Sequence, residues 1–476
     1  MKKKIPIGIS DFKSIIQENY YFIDKSLFIK EVVEDGSKVI LLPRPRRFGK
    51  TLNMSMLKYF YEKSEGNNMC LFKGLNISNH EDIMYMQGKY PVIYITFKDE
   101  KHSEWDRCLN SVERLVKSEF GKHSYLLKSD VLEEYEKQEV EDILYGRASH
   151  DVYTDGLKLL SEYLYRYHKQ KVVILIDEYD VPIQSGYLYG YYDSIIEFMR
   201  IFLSGGLKDN QYLEKAVLTG ILRVAKESIF SGLNNLEVST LLSYNFDSSF
   251  GFLEEEVVEL LKYYNIEYEM DEVRNWYNGY IFGDKVIYNP WSILSYTKNN
   301  REGLRPYWVN TSSNDLVKRV LARGTEILKT ELESLIKGET IEKLINEDIV
   351  MKDIDSSSEN VWSFLLFSGY LKVIDRKLER GKNYCKLKIP NLEVQYLYEE
   401  IILGWFNENI SSDKFSMMLK SLVSGDIKTF SIIFKELVLK SVSYFDISGR
   451  ESEKVYHSFV LGIAFEGKMV LVKERI

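Results

Sequence analysis

The chain reads as an α/β protein built on a parallel sheet with helices on both faces, and three observations carry that reading. Residues 38–42 (Lys-Val-Ile-Leu-Leu), 91–97, 172–176 and 216–222 are short, apolar and mostly β-branched, as strands buried on both faces are. Between them run longer stretches with apolar residues at helical spacing, such as Leu52, Met56, Tyr59 and Phe60, or Leu157, Leu160, Tyr163 and Leu164. The first of the apolar runs leads through residues 43–48 into Gly49-Lys50-Thr51, and the third leads into Asp177-Glu178.

The first 245 or so residues form one such α/β unit. After Phe246 the character changes. Phe252 to Tyr264 is an acidic amphipathic helix, and Trp276-Tyr277-Asn278-Gly279-Tyr280 and Tyr288-Asn289-Pro290-Trp291 predict turns. A mainly helical, lid-like unit is therefore expected over 246–352. Asp353 to Asn360 is polar and serine-rich and is the linker candidate. An α+β region over 353–476 comes next, with a hairpin formed by Tyr370 to Asp375 and Asn383 to Ile389.

Arg44-Pro45-Arg46-Arg47-Phe48-Gly49-Lys50-Thr51 has the order strand, loop, Gly-Lys-Thr, helix that a P-loop NTPase requires. Backbone N–H groups of Arg44, Arg46, Arg47, Phe48, Gly49, Lys50, Thr51 and Leu52, and the positive end of the following helix dipole, face phosphate oxygens in such a loop. Lys50 would reach the β and γ oxygens, and Thr51 would offer its hydroxyl to magnesium. Gly49 permits close backbone approach. Arg44, Arg46 and Arg47 would add positive potential beside the cradle. Arg44 also stands where the motif GxxxxGK[ST] has its first glycine.

Five apolar residues deliver Asp177 and Glu178 to the end of a buried strand, where a carboxylate is costly unless paired or metal-bound. Asp177 suits magnesium held through water, and Glu178 suits activation of the attacking water. Asp180 has two readings, a turn cap and a catalytic group. Where an added strand separates the phosphate-loop strand from the acidic strand, a polar residue at its end senses the γ-phosphate. Thr219 takes that position. Arg223 would either supply charge to the transition state or form a structural ion pair.

With these residues in view, the chain resembles the bacterial AAA-ATPase-like family. The resemblance rests on Phe22-Ile23-Asp24-Lys25-Ser26, the loop at 44–51, Ile176-Asp177-Glu178-Tyr179-Asp180, and the long block from Leu218 to Asn235. Further blocks lie at 276–280, 288–292, 307–314, 367–371 and 389–394. The family shares the arginine at the first glycine position. The resemblance implies an ATP-binding, Mg²⁺-dependent ATPase of the ASCE class, with ATP or ADP as ligand. Members commonly end in a domain similar to PD-(D/E)XK nucleases. Tyr456 to Gly462 resembles the opening helix of that domain, and Glu466-Gly467-Lys468 spells its last motif, but no hairpin strand precedes it. The expectation is a truncated remnant and no DNA cleavage.

Composition narrows the partners. Lys and Arg number 63 against 71 Asp and Glu, a net charge of −8, which gives no general attraction to nucleic acid or an anionic membrane, so any DNA contact must be local. Cys70, Cys108 and Cys385 form neither a zinc spacing nor a disulfide framework, which fits a reducing cytoplasm. After Met1-Lys2-Lys3-Lys4, Asp11 and Lys13 interrupt any signal-peptide core, and no run is long enough to span a membrane. Three functions remain open: an ATPase acting as a conformational switch, a nucleotide-binding regulatory protein with little hydrolysis, and an accessory ATPase of a nuclease system. Self-association and a protein partner are equally open.

Overall fold

Apolar, β-branched runs buried on both faces pair as a parallel sheet, and each parallel pair needs a crossover that helices supply. The protein, analysed as a computed structural model, is described over residues 2–64, 66–223, 235–308, 314–322, 326–349, 351–354, 357–407 and 412–434. Strands β1 (Val39–Pro43), β2 (Val92–Thr96), β3 (Val172–Asp177), β4 (Leu213–Gly220) and β5 (Leu236–Val238) form one sheet in the order β2-β3-β4-β1-β5. All four pairings are parallel. Every residue of β1 and of β3 is buried. β5 has only three residues, one of them Glu237, too few for a pattern in sequence.

Helix α1 (Lys50–Tyr61) follows β1, α2 (Trp105–Lys122) and α3 (Gly156–His168) lie between β2 and β3, and α4 (Val181–Tyr189) and α5 (Tyr192–Leu207) lie between β3 and β4. The consequence of this order is positional. β4 sits between β1 and β3, so the carboxyl ends of the phosphate-loop strand, the acidic strand and the strand carrying Thr219 are adjacent, where ligands bind in open α/β sheets.

Beyond the sheet, α6 (Glu254–Tyr264) and α7 (Pro290–Lys298) flank the short hairpin of β6 (Tyr280–Phe282) and β7 (Lys285–Ile287). They share a second apolar cluster with Val257, Leu261, Val273, Tyr277 and Ile293. A further antiparallel sheet has the order β8-β10-β9, from β8 (Ile341–Ile345), β9 (Lys372–Glu379) and β10 (Lys382–Lys388). β9 and β10 are the expected hairpin, closed by Arg380 and Gly381 with φ of 48° and 75°, the left-handed pair of a tight turn. β8 pairs with β10, so this sheet crosses the expected boundary at 353.

The polar stretch expected to be a linker instead starts a helix: the Ser357 side chain accepts from the Glu359 N–H and α8 (Ser358–Phe367) begins there. Serine at that position is an N-cap, which composition alone does not distinguish from a linker. Trp362, Leu365, Val394 and Tyr398, the last two on α9 (Leu392–Asn407), pack into the same apolar cluster as the parallel sheet. Among the described residues no helix is long and apolar enough to cross a membrane.

Candidate functional site

The site starts where β1 ends. The Arg44 N–H donates to Gly220 O at 2.9 Å, which fixes the root of the loop to the end of β4. Arg47 and Gly49 both lie in the left-handed region, at φ 70° and 88°. For Gly49 the backbone angle, not space, requires glycine, because a β-carbon would meet nothing within 4 Å. Arg47 has no such excuse and carries a cost of about 1 kcal/mol or more. Its guanidinium lies over the Trp291 ring, 4.3 Å from the centroid, which offsets part of that cost. Lys50 opens α1, is 3% exposed, and its Nζ donates to the carbonyls of Arg44 and Pro45 at 3.1 and 3.0 Å. Burial lowers its pKa, opposed by the charges of Glu178, Asp177 and Asp180.

At the end of β3, Asp177 is fully buried and accepts three hydroxyl protons. Oδ2 takes Thr51 at 2.8 Å and Thr96 at 3.2 Å, and Oδ1 takes Thr219 at 2.7 Å. The phosphate-loop helix, β2 and β4 thus meet on one carboxylate. Burial raises its pKa, and the neighbouring charge of Glu178 raises it further. A hydroxyl beside a carboxylate, with oxygen donors only, is a donor set that suits magnesium, a hard cation that keeps several waters. Among the described residues no group of three or more His, Cys, Asp or Glu side chains converges on one point, so a metal held by protein ligands alone has no cage here.

Glu178 comes next, in the left-handed region at φ 52°. A non-glycine residue held there directly beside a candidate catalytic strand end is local strain of the kind that clusters at functional sites. The next two residues are braces. Tyr179 donates its hydroxyl to Leu222 O at 2.6 Å. The Asp180 Oδ2 accepts the N–H groups of Ile221 and Leu222 at 2.9 and 3.1 Å and the Gln184 amide at 2.9 Å, and Gln184 Oε1 in turn accepts from Arg46 at 3.0 Å. Of the two readings of Asp180, a cap of its own turn does not describe this: α4 has no side-chain cap bond, and Asp180 instead holds the segment after β4. Gly220 has to be glycine, since a β-carbon would lie 2.7 Å from Asp180 Oδ1 and 2.8 Å from the Tyr179 ring.

For Arg44 the side chain takes a role other than the expected one. The Arg44 side chain is fully buried and turned into the core, donating to the carbonyls of Pro43, Ser239 and Phe246 at 2.9, 2.6 and 3.2 Å and lying between Phe250 and Phe282. Burial pushes its pKa down to about 9, while Glu31 and Asp247 pull it upward. Its guanidinium therefore ties β1 to the segment after β5 and is not directed at a ligand. Phe48 is also fully buried, against Tyr280 and Phe282, and Leu52 packs against the apolar core. These residues can meet a ligand through their backbone alone. Arg223 forms an ion pair with Asp348 at 2.7 Å, the structural alternative of its two readings.

Thr96, Gln184 and Trp291 are members of this site that sequence reasoning missed. Thr96 had a signal, a hydroxyl closing an apolar strand; Gln184 lies one turn beyond Asp180 but meets Arg46 138 residues away, and Trp291 comes from a distant segment. Val224 to Asn234, and the tail from Tyr456 with Glu466 and Lys468, lie outside the described residues.

The family model described as predicted AAA-ATPase, AAA-ATPase-like, matches residues 6–230. A protein of Azotobacter chroococcum mcd 1, described as an uncharacterized protein in the vnfD 5'region, is 26% identical over 406 residues, covering 84% of this chain and 70% of that protein.

Proposed function

We propose that the chain, whose residues 6–230 match the family model described as predicted AAA-ATPase, binds ATP with Mg²⁺ at the end of β1 and hydrolyses it, using the cycle as a conformational switch. The observation that carries this reading is the junction at Asp177, where Thr51 of the loop and Thr219 of β4 share one buried carboxylate. Lys50 would exchange the carbonyls of Arg44 and Pro45 for β and γ oxygens, a charge-assisted bond in place of two neutral acceptors. Thr51 and Asp177 would hold magnesium, which supplies charge neutralisation across the phosphates when bound. Glu178 would accept the proton of the attacking water. Arg46, steadied by Gln184, would add charge at the loop, and Thr219 would sense the γ-phosphate through its bond to Asp177.

The switch would be read by the elements after Phe246. Arg223 pairs with Asp348, Thr240 donates to Glu347 at 2.5 Å, and Arg376 donates to Leu242 O at 2.7 Å. These bonds join the segments after β4 and β5 to the β8-β10-β9 sheet. One observation favours a second reading, a regulatory protein that holds nucleotide and turns over little: with Arg223 paired to Asp348, its charge is engaged away from the phosphates. Phosphate release at steady state, with and without DNA, separates the readings. Parental turnover in Glu178→Gln would remove Glu178 from catalysis, and absence of turnover in the unaltered protein with retained ATP binding would favour the regulatory reading.

A further inference from the structure

A cavity of about 620 Å³ opens beside α2, and no residue of the phosphate loop lines it. That volume is within the range of about 300 to 1,000 Å³ typical of small-ligand clefts. Its α2 wall carries Arg107, Asn110, Arg114 and Lys117. Steps of three, four and three residues put all four on one helix face. Arg114 and Lys117 are one turn apart and Arg107 lies two turns further toward the N-terminus, so the cations span about 15 Å. The facing wall includes Gly146, which ends the helix Glu134–Tyr145 in the left-handed region at φ 71°. A β-carbon on Gly146 would stand 3.7 Å from Lys117 Nζ, so the wall comes close to the ammonium.

A charged outer face on an amphipathic helix ordinarily meets solvent and opposite charges. Here the face is concave and its charge is not balanced. Glu113, the one acid in the lining, is paired with His150 Nδ1 at 3.1 Å. Arg107 meets Glu104 at 3.2 Å with both side chains more than half exposed, at 71% and 64%, a pair worth about 1 kcal/mol at most. Among the described residues Arg114 and Lys117 have no ion-pair partner, in a chain whose net charge is −8. Tyr145 and Arg147 flank Gly146, with the guanidinium over the ring at 4.9 Å.

We propose that this cleft is a second anion site, for a ligand carrying two or more phosphate groups. Guanidinium forks hold phosphate oxygens in bidentate pairs and a lysine adds a compact charge, so two cations a turn apart would take one phosphate and Arg107 another. The cleft shares no lining residue with the loop at Lys50, although His102 at one end belongs to the segment that leaves β2, and its carbonyl accepts the Tyr191 hydroxyl at 2.6 Å. The proposal does not depend on ATP being the ligand at the loop.

The test is calorimetric titration of the full chain with inorganic tripolyphosphate and, separately, with a short single-stranded oligothymidylate. The unaltered protein is compared with Arg114→Ala/Lys117→Ala, with Arg107→Ala, and with Lys50→Ala. The expected result is binding that weakens about tenfold or more in the double variant, weakens less in Arg107→Ala, survives in Lys50→Ala, and is retained in Arg114→Lys/Lys117→Arg. Such a pattern with tripolyphosphate identifies a free oligophosphate; the same pattern with the oligonucleotide alone identifies a phosphodiester backbone as the source. The proposal is overturned if neither probe binds the unaltered protein, if the double variant and Arg107→Ala bind as well as it does, or if Lys50→Ala abolishes all binding. A double variant that does not fold, judged by its melting temperature, leaves the decision to Arg107→Ala, whose side chain is largely exposed.

Discussion

Two fully buried carboxylates, Asp177 and Glu393, solve the same physical problem in different ways. Both stand at 0% exposure and both have pKa values raised by burial, Glu393 to about 7. Asp177 is held by three threonine hydroxyls and lies within the field of Lys50. Glu393, at the start of α9, accepts the backbone N–H groups of Tyr307 and Trp308 at 2.5 and 2.6 Å and the Ser292 hydroxyl at 2.7 Å. Hydroxyls rotate and can turn their lone pairs to a metal, whereas backbone amides are fixed by the chain and can only donate. The first arrangement can exchange partners and so can do chemistry. The second pins α9, α7 and the 307–308 segment together and, among the described residues, has no cation paired with it.

The comparison is sharpened most by removing the cation from the first region. Lys50→Ala should lose about 2 to 3 kcal/mol of ATP binding, a hundredfold or so, with an unchanged far-UV spectrum. Unchanged affinity by calorimetry in the folded variant would remove the phosphate loop from the site. Glu178→Gln should bind ATP within a few-fold of the parent and turn it over about 10² to 10⁴ times more slowly, because the amide keeps the shape and loses the base. Single-turnover phosphate release measures this directly.

For the second region the expected signature is pH dependence without loss of nucleotide binding. The folded pKa of Glu393, about 7, is above its ordinary 4.5, so the fold binds the proton more tightly than the unfolded chain does. That contribution to stability is fully present below about 4.5 and is lost as pH rises through about 7, a change of roughly 3 kcal/mol. Glu393→Gln should flatten urea midpoints across that window. A parent whose contribution from this group rises with pH, seen as a Gln variant that steepens the fall, would contradict the assignment. The smallest effect is expected for Arg223→Ala: about 1 kcal/mol or less in stability, since its pair with Asp348 is partly exposed. Turnover should fall with little change in ADP affinity. Equal losses for ATP and ADP would make the pair with Asp348 its whole role.

Much of the first region was legible because its signals are local. Lys-Val-Ile-Leu-Leu leading to Gly49-Lys50-Thr51, and Val172 to Ile176 leading to Asp177, are contiguous stretches in which burial and chemistry are adjacent in the chain. Glu393 was not legible as a buried group, since its donors come from Ser292, Tyr307 and Trp308, 101, 86 and 85 residues away. The linker reading of Asp353 to Asn360 gives way at Ser357 for a related reason: the same side chain caps a helix or solvates a loop, and the apolar surface available to the next turn of chain decides between them.

By itself the amino-acid sequence determined four of the five parallel strands and the helix-covered α/β class, because strand burial depends on neighbours along the chain; it also pointed to Lys50, Thr51, Asp177 and Thr219, of which Thr51 and Thr219 meet on Asp177. Only the tertiary structure decided which way side chains turn. Arg44 reads as a phosphate-loop cation, yet its guanidinium lies in the core, because the carbonyls of Ser239 and Phe246 and the rings of Phe250 and Phe282 surround it. Asp180 reads equally as a turn cap and as a catalytic group, yet it holds the segment after β4 because β4 lies next to β3 in the sheet. The physical reason is common to both: a buried charged group goes where enough donors or acceptors converge on it, and that convergence is made by segments far apart in sequence.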